Sequence, residues 1–509
     1  MALMTTFWLK RMDALADSSP GLYYALCWLL AAFGYASLLL FPVLTLAAPA
    51  FLAYIALTTD ISAWQLTHWL LAAAVFALGL AAGWLSLTLF RTRLELPHGR
   101  ELERDDFRVL LDRIGELVTS YRSPPIEHVR LTARFEIDIQ RTASNGFPSR
   151  FTHTLLIGLP VMSCMSPLHL KLLLARQIGY LAATRGNYRP RLIYLRRVWQ
   201  SYADYYARDW RAEHIPFRLL FCWFNPLFEV TTRAAVRLSQ FDKDRCMLDI
   251  TTAQNAAEAI AVFAVKKHYL QHEFWPALNN MAFTRAKPAW LPYSSMDSII
   301  SQRLDAVSAQ LIYEAELNRQ PQPGDVYANL GQRLQALGVE DFVAPDKLAE
   351  TAASHFLGDN LQAVQKQLDN VWYLRNKSVW NLRYKKGLQE KEQLKEMRKQ
   401  AAQSLLSNDE ARQYLLLLEK YVDRKKALPL YAEILQSNAL DPGVCYELGR
   451  LMLEADEPEG IQALHMAMEQ DESYTIDCCQ HIVKYMANQG DMKQAQKYRR
   501  MILAHQVEH

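Results

Sequence analysis

Two histidines spaced one helical turn apart are the clearest candidates for metal chemistry in the chain. His268 and His272 lie four residues apart in the segment KKHYLQHEF, which places both imidazoles on one helix face, and Glu273 follows directly. No acidic residue lies between the histidines, so neither zinc-peptidase form of such a pair is present. Lys266 and Lys267 also disfavour a bound cation. The pattern favours a solvated helix face, with a metal site at His268, His272 and Glu273 as the alternative.

A second candidate site lies on the helix that follows the apolar, β-branched strand FTHTLLIGL at residues 151–159. Ser166-Pro167 is typical of a helix start, because serine caps a helix and proline favours its first position. That helix carries RQIGY at residues 176–180, and a later helix carries QFDKD at residues 240–244. The order of these elements resembles the M48 family of membrane zinc peptidases.

The resemblance implies a zincin-like domain in which two histidines and a later glutamate bind zinc, while a glutamate between the histidines is the general base. Arg176, Gln177, Tyr180 and Gln240 occupy those four positions in this chain. A guanidinium cannot donate a lone pair to zinc, and an amide cannot take a proton from water. A tyrosine would have to ionise against an ordinary pKa of about 10. We therefore expect no catalytic residues, no bound metal and no cofactor.

The sequence also suggests what replaces the metal. We hypothesise that Arg176 fills the vacated zinc position and pairs with Asp242 or Asp244. In the alternative, Arg176 and Tyr180 are simply exposed on a helix face.

Two long apolar segments precede this region. No Lys or Arg occurs between residues 12 and 90, and the stretches 22–46 and 64–90 each exceed the about 20 residues that cross a bilayer. Lys10 and Arg11 precede the first stretch and Arg91 follows the second. The positive-inside rule therefore predicts two spans with both termini cytoplasmic and the bilayer as a partner. The family resemblance suggests a bacterial inner membrane, and we expect Pro42 and Pro49 to break the first helix.

Two further segments are rich in aromatic residues. Residues 185–210 interleave arginines with Tyr and Trp, which indicates either lipid headgroup contact or side chains stacked on the surface of a helix. Residues 215–230 are apolar but short and carry Arg218. We interpret them as an interfacial or packed segment and not as a third span.

The C-terminal part shows helix pairs with a period near 34 residues. Small and apolar residues recur at positions that would pack neighbouring helices: Tyr431, Leu448, Gly449 and Leu464. This resembles degenerate tetratricopeptide repeats, whose concave surface binds peptide segments or partner proteins. A plain α-helical capping domain without a ligand is the alternative.

Composition limits the remaining possibilities. The chain has 509 residues, a formal charge of +3 and seven cysteines without a CxxC pair, which gives no indication of nucleic-acid binding or of a disulfide scaffold. We predict a mainly α protein in four parts. These are a transmembrane hairpin (1–93), an α+β M48-like domain with a small sheet (94–290), a helical linker (291–400) and tetratricopeptide-like repeats (401–509).

The function expected from these features is binding. The chain would be a membrane-anchored pseudopeptidase that acts as a scaffold, adaptor or regulator at the cytoplasmic face, in membrane-protein quality control or complex assembly. A protein or peptide partner would bind through the repeats or the peptidase-like groove. Two alternatives remain, an active zinc metallopeptidase with non-standard ligands and a structural subunit of a membrane complex. The oligomeric state is left open.

Overall fold

The computed structural model describes residues 2–58, 64–143, 151–208, 210–319, 325–339, 349–403, 407–422, 427, 429–430 and 441–508. The chain is mainly helical with one small mixed sheet. It divides into two compact units, one formed by 1–275 with 290–372 and the other by 276–289 with 373–509. This division is coarser than the four predicted parts, and the first unit includes the N-terminal hairpin.

The four strands that the structure describes all lie between residues 100 and 158, and helices precede and follow them. The strands are β1 (Arg100–Glu101), β2 (His128–Thr132), β3 (Ile137–Ala143) and β4 (Phe151–Gly158). The helices of the first half are α1 (Ala2–Ser18), α2 (Pro20–Thr58), α3 (Leu66–Arg91), α4 (Arg108–Ser120), α5 (Leu159–Cys164), α6 (Pro167–Ala182), α7 (Tyr188–Arg208), α8 (Ile215–Thr231), α9 (Arg233–Arg245) and α10 (Ala253–Tyr269). Those of the second half are α11 (Trp275–Asn280), α12 (Pro292–Arg303), α13 (Ala306–Leu317), α14 (Leu330–Leu337), α15 (Ala352–Leu357), α16 (Leu361–Gln403), α17 (Asn408–Tyr421), α18 (Pro442–Glu454), α19 (Gly460–Gln470), α20 (Thr475–Asn488) and α21 (Met492–Glu508).

Helices α2 and α3 are long and apolar enough to cross a membrane, with mean hydropathies of 2.2 and 2.1. The expected break at Pro42 and Pro49 is wrong, because α2 continues through both prolines to Thr58. Apolar helices tolerate proline where neighbouring helices and local adjustments satisfy the freed carbonyls. Small residues bring the pair together, since a Cβ atom on Gly79 would lie 2.8 Å from the Cβ atom of Ala48.

The sheet has the strand order β1-β2-β4-β3, with β2 and β4 parallel and the other neighbours antiparallel. The alternation of VRLTARFEIDI at residues 129–139 predicts a single strand. That prediction is wrong, because the chain leaves β2 at Thr132 and re-enters the sheet as β3 at Ile137. Gly158 closes β4 at a point where a Cβ atom would collide with the carbonyl oxygen of Arg134. The turn between β2 and β3 can therefore pack directly against the end of β4.

Helix α6 begins as the sequence predicts. Ser166 is the N-cap and its hydroxyl accepts a hydrogen bond from the backbone N–H of His169 at 3.1 Å, while Pro167 is the first helical residue. The helix is buried from Leu172 to Leu181. At Gly179 a Cβ atom would lie 2.7 Å from the Cβ atom of Cys246, so the glycine allows the chain just beyond α9 to approach closely.

The aromatic side chains of α7 form an interior rather than a stacked surface. Trp199, Tyr202 and Tyr206 are buried, and they pack on the phenylalanines that α8 presents every third or fourth residue, at 217, 221, 224 and 228. The expectation of stacked surface side chains is wrong for these three residues, although Tyr188 and Trp210 are exposed. The segment 215–230 is a packed helix, with Trp223 exposed on its other face.

The second unit ends in two successive helix pairs, α18 with α19 and α20 with α21. Leu448 and Leu464 are fully buried, and a Cβ atom on Gly449 would lie 2.6 Å from Cγ of Leu464 and 2.8 Å from the carbonyl oxygen of Gly460. Three of the four predicted packing positions thus lie at one helix–helix contact. The fourth, Tyr431, lies outside the described residues.

We expect Gly449→Ala to destabilise the second unit by about 1–3 kcal/mol, because the added methyl group must push α18 away from α19. Thermal unfolding of the full-length chain in detergent, followed by scanning fluorimetry, measures the loss as a lower Tm. Gly115→Ala in α4 is the control, since nothing lies within 4 Å of the added Cβ atom. Equal Tm values for the two variants would show that the close contact is unimportant.

Candidate functional site

The two motif-bearing helices meet at a cleft of about 480 Å³ in the first unit. The edge strand β3 and helices α6, α7, α9, α10 and α14 form its walls. Four side chains at its centre come from the segments that the sequence singles out: Arg176, Gln177, Gln240 and Lys243. Of the four positions that the resemblance to M48 peptidases suggests for zinc chemistry, three line one cavity, and the fourth, Tyr180, is buried beside Lys243.

Arg176 is buried and held by two side chains of α9. Its Nε atom donates to Oδ1 of Asp244 at 2.6 Å, and its Nη2 atom donates to Oε1 of Gln240 at 2.6 Å. Of the two partners that the sequence allowed, the structure pairs Arg176 with Asp244 and not with Asp242. The alternative of an exposed Arg176 and an exposed Tyr180 is wrong, because both side chains are buried.

Asp244 has a second partner that sequence reasoning missed. Arg333 of α14 donates from Nε to Oδ2 at 2.7 Å and from Nη2 to Oδ1 at 2.8 Å, which is a bidentate contact. Burial acts to raise the pKa of Asp244, but the guanidiniums of Arg333 and Arg176 outweigh it and hold that pKa below its ordinary value of 3.8. One buried carboxylate therefore neutralises two guanidiniums only in part.

The edge strand β3 is already occupied by side chains. Gln177 Nε2 donates to the carbonyl oxygen of Ile137 at 2.7 Å, and Arg197 Nη1 donates to that of Ile139 at 3.1 Å. Arg197 Nη1 also donates to Oδ2 of Asp138 at 2.6 Å. The carbonyl oxygens of Ile137 and Ile139 face away from β4. The backbone N–H of Gly158 donates to the carbonyl oxygen of Glu136, and carbonyl groups alternate in direction along a strand, so those of the odd-numbered residues here point to the free edge. A further strand could add here only by displacing Gln177 and Arg197.

Lys243 is a buried cation beside this network. It is 5% exposed, and its Nζ atom lies 5.2 Å from the ring centroid of Tyr180. Burial, aided by the charge of Arg197, lowers the pKa of Lys243 to about 7. Burial also raises the pKa of Tyr180, which keeps its phenol protonated and unsuited to metal binding.

The histidine pair lies at the rim of the same cleft. The rings of His268 and His272 are 4.4 Å apart between centroids, and Nδ1 of His268 lies 2.7 Å from Oε1 of Glu316. Glu273 is exposed and does not line the cleft. Within the described ranges, no group of three or more His, Cys, Asp or Glu side chains is arranged to hold a metal ion.

The chemistry available at the cleft centre is therefore positive charge and hydrogen bonding. Arg176 and Lys243 offer N–H donors, and Gln177 offers an amide oxygen, whereas none of these groups is a carboxylate that could activate water.

Comparison of the chain with models of protein families, with curated proteins and with solved structures finds no match.

Proposed function

We propose that the chain is a membrane-anchored pseudopeptidase that binds a polypeptide without cutting it, as a scaffold, adaptor or regulator. The observation that carries this proposal is the ion network of Arg176, Asp244 and Arg333. It holds two cations where the resemblance to M48 peptidases places zinc and its ligands. Two guanidiniums repel a dication. Asp244, the carboxylate of the network, is 1% exposed and paired with both guanidiniums, so it is poorly placed to take a proton from water.

The anchoring part of the proposal rests on α2 and α3. Their outer surfaces carry large apolar side chains that are mostly exposed in the chain alone, among them Leu46, Leu57 and Leu66 at 74%, 87% and 75%. Such a surface suits lipid. Arg91 at the end of α3 favours a cytoplasmic location for the rest of the chain.

We assign polypeptide binding to the helix pairs of the second unit, as tetratricopeptide-like repeats. The peptidase-like groove is the less favoured surface, because Gln177 and Arg197 already use the edge-strand carbonyls that an added strand would need. Helix pairs such as α18–α19 and α20–α21 present side chains on rigid elements, which suits recognition of a peptide segment.

The test uses the full-length chain in detergent with fluorescein-labelled casein and added zinc. We expect saturable binding by fluorescence anisotropy, with the casein intact on a gel. Gly449→Ala, which disturbs the second unit, should weaken binding at least severalfold. Gln177→Ala, which frees the edge-strand carbonyl of Ile137, should not.

Three results would contradict the proposal. Casein fragments that depend on zinc would support the metallopeptidase alternative. Absence of binding by the folded wild-type chain would favour a structural subunit, and stronger binding by the Gln177→Ala variant would move the binding surface to the groove.

A further inference from the structure

The centre of the cleft contains more positive than negative charge. Four cations meet there with two carboxylates, and we call these six residues the charge cluster: Arg176, Arg197, Lys243, Arg333, Asp138 and Asp244. The pairs Arg197–Asp138 and Arg176–Asp244 balance, which leaves Arg333 and Lys243 in excess. Buried charge is costly unless an opposite charge accompanies it. The cluster is therefore suited to a bound anion, whose charge would also favour the protonated form of Lys243.

The rim of the cleft carries charges of both signs, from Lys267, Arg319, Glu136, Glu316 and Asp325. Glu316 pairs with His268, and Asp325 lies 3.4 Å from Arg319. Glu136 accepts a hydrogen bond from Thr132. With the two cations and three carboxylates of the rim added to the cluster, six cations face five carboxylates, so an excess of one positive charge remains.

Two groups in the centre have hydrogen-bonding capacity to spare. Within the part of the chain that the structure describes, no hydrogen bond or ion pair reaches Lys243 Nζ, and Arg176 uses Nε and Nη2 but not Nη1. Both lie on the wall of the cleft. They can donate to the oxygens of a bound anion.

The third group is an acceptor. Gln177 is 5% exposed, and its Oε1 atom has no hydrogen-bond partner among the described residues. Its Nε2 atom is fixed by donation to the carbonyl oxygen of Ile137, so the amide cannot reverse without losing that bond. A ligand that fits must therefore bring a donor to Gln177 as well as oxygens to Lys243 and Arg176.

We propose that the cleft binds a monohydrogen phosphate group through Lys243, Arg176 and Gln177. This anion carries two negative charges, acceptor oxygens for the two cations and one O–H that can donate to Gln177 Oε1. Sulfate has the same shape and charge but no O–H. The site should therefore prefer phosphate to sulfate.

The experiment measures binding of inorganic phosphate and of sulfate to the full-length chain by isothermal titration calorimetry. It uses a detergent without phosphate, a near-neutral buffer and equal ionic strength. We expect phosphate to bind at least about tenfold more tightly than sulfate. Lys243→Met should weaken phosphate binding at least about tenfold, and Gln177→Met should remove the preference over sulfate. Arg319→Met, at an exposed rim position, is the matched control and should change neither.

Each outcome decides the matter. Equal affinities for phosphate and sulfate in the wild type, or a Lys243→Met variant with wild-type affinity, would overturn the site. Lys243→Met removes a buried charge and should fold, and retained thermal unfolding verifies this for each variant. Phenyl phosphate tests the same requirement, because its dianion has no O–H at near-neutral pH and should bind no more tightly than sulfate. Binding tighter than that of inorganic phosphate would overturn the role of Gln177. None of these results depends on polypeptide binding by the second unit.

Discussion

Asp244→Asn should lower the free energy of unfolding of the first unit by about 3–5 kcal/mol. The substitution keeps the shape of the side chain but leaves Arg176 and Arg333 as buried cations without a counter-charge. Breaking a buried ion pair by removing one partner is costly for this reason. For a unit of this size the loss corresponds to a fall in Tm of about 5 °C. Scanning fluorimetry of the full-length chain in detergent measures it.

Asp242→Asn is the matched control for this change. Asp242 lies two residues away on the same helix, half-buried and outside the ion network, and burial raises its pKa. Removal of that charge should therefore change Tm little. If the two variants lose the same Tm, the Asp244 network does not stabilise the unit.

Acid should weaken the same interaction. Because the pKa of Asp244 is lowered in the folded chain, its contribution is present above the ordinary value of 3.8 and is lost as the pH falls through the lower, folded value. The wild type should therefore lose stability on acidification more steeply than Asp244→Asn. Parallel pH profiles of the two proteins would contradict this linkage.

The network also shows what sequence reasoning can and cannot predict. The start of α6 follows from Ser166 and Pro167 alone, because capping is a local interaction. The pairing of Arg176 with α9 was available from the resemblance, which places those two helices side by side. Arg333 had no such signal. It lies 89 residues from Asp244, and only tertiary packing brings α14 to α9.

The other differences have similar physical causes. The alternation across 129–139 predicts extended backbone correctly but carries no information on where the strand leaves the sheet. Pro42 suggests a helix end, yet α2 continues through it. Proline in a helix costs about 3 kcal/mol in free energy, whereas ending the helix in an apolar surrounding would leave several backbone N–H and C=O groups without hydrogen bonds, which costs more. For Trp199, composition alone could not separate a surface location from burial under α8.

Placing histidines and glutamates at the four positions that the resemblance to M48 peptidases suggests for zinc chemistry should create a zinc site in this chain. The variant Arg176→His, Gln177→Glu, Tyr180→His and Gln240→Glu places two imidazoles one turn apart on α6 and a carboxylate on α9. The contact of 2.6 Å between Arg176 and Gln240 shows that these helices are close enough for side chains to share a ligand. Zinc takes histidine nitrogens and carboxylate oxygens at about 2.0–2.2 Å. We expect the zinc content to rise from near zero to about one ion per chain.

Elemental mass spectrometry of the full-length chains in detergent, after zinc is offered and the excess removed, measures this content. The triple variant that retains Gln240 is the matched control and should bind zinc at least about tenfold more weakly, because it lacks the third ligand. Asp244 keeps its bidentate partner Arg333 in both variants, so both should fold, and their Tm values verify this. A folded quadruple variant without zinc would show that the three positions do not converge as in M48 peptidases. About one zinc in the wild type would instead show that a metal binds elsewhere, and His268, His272 and Glu273 would be the first residues to replace.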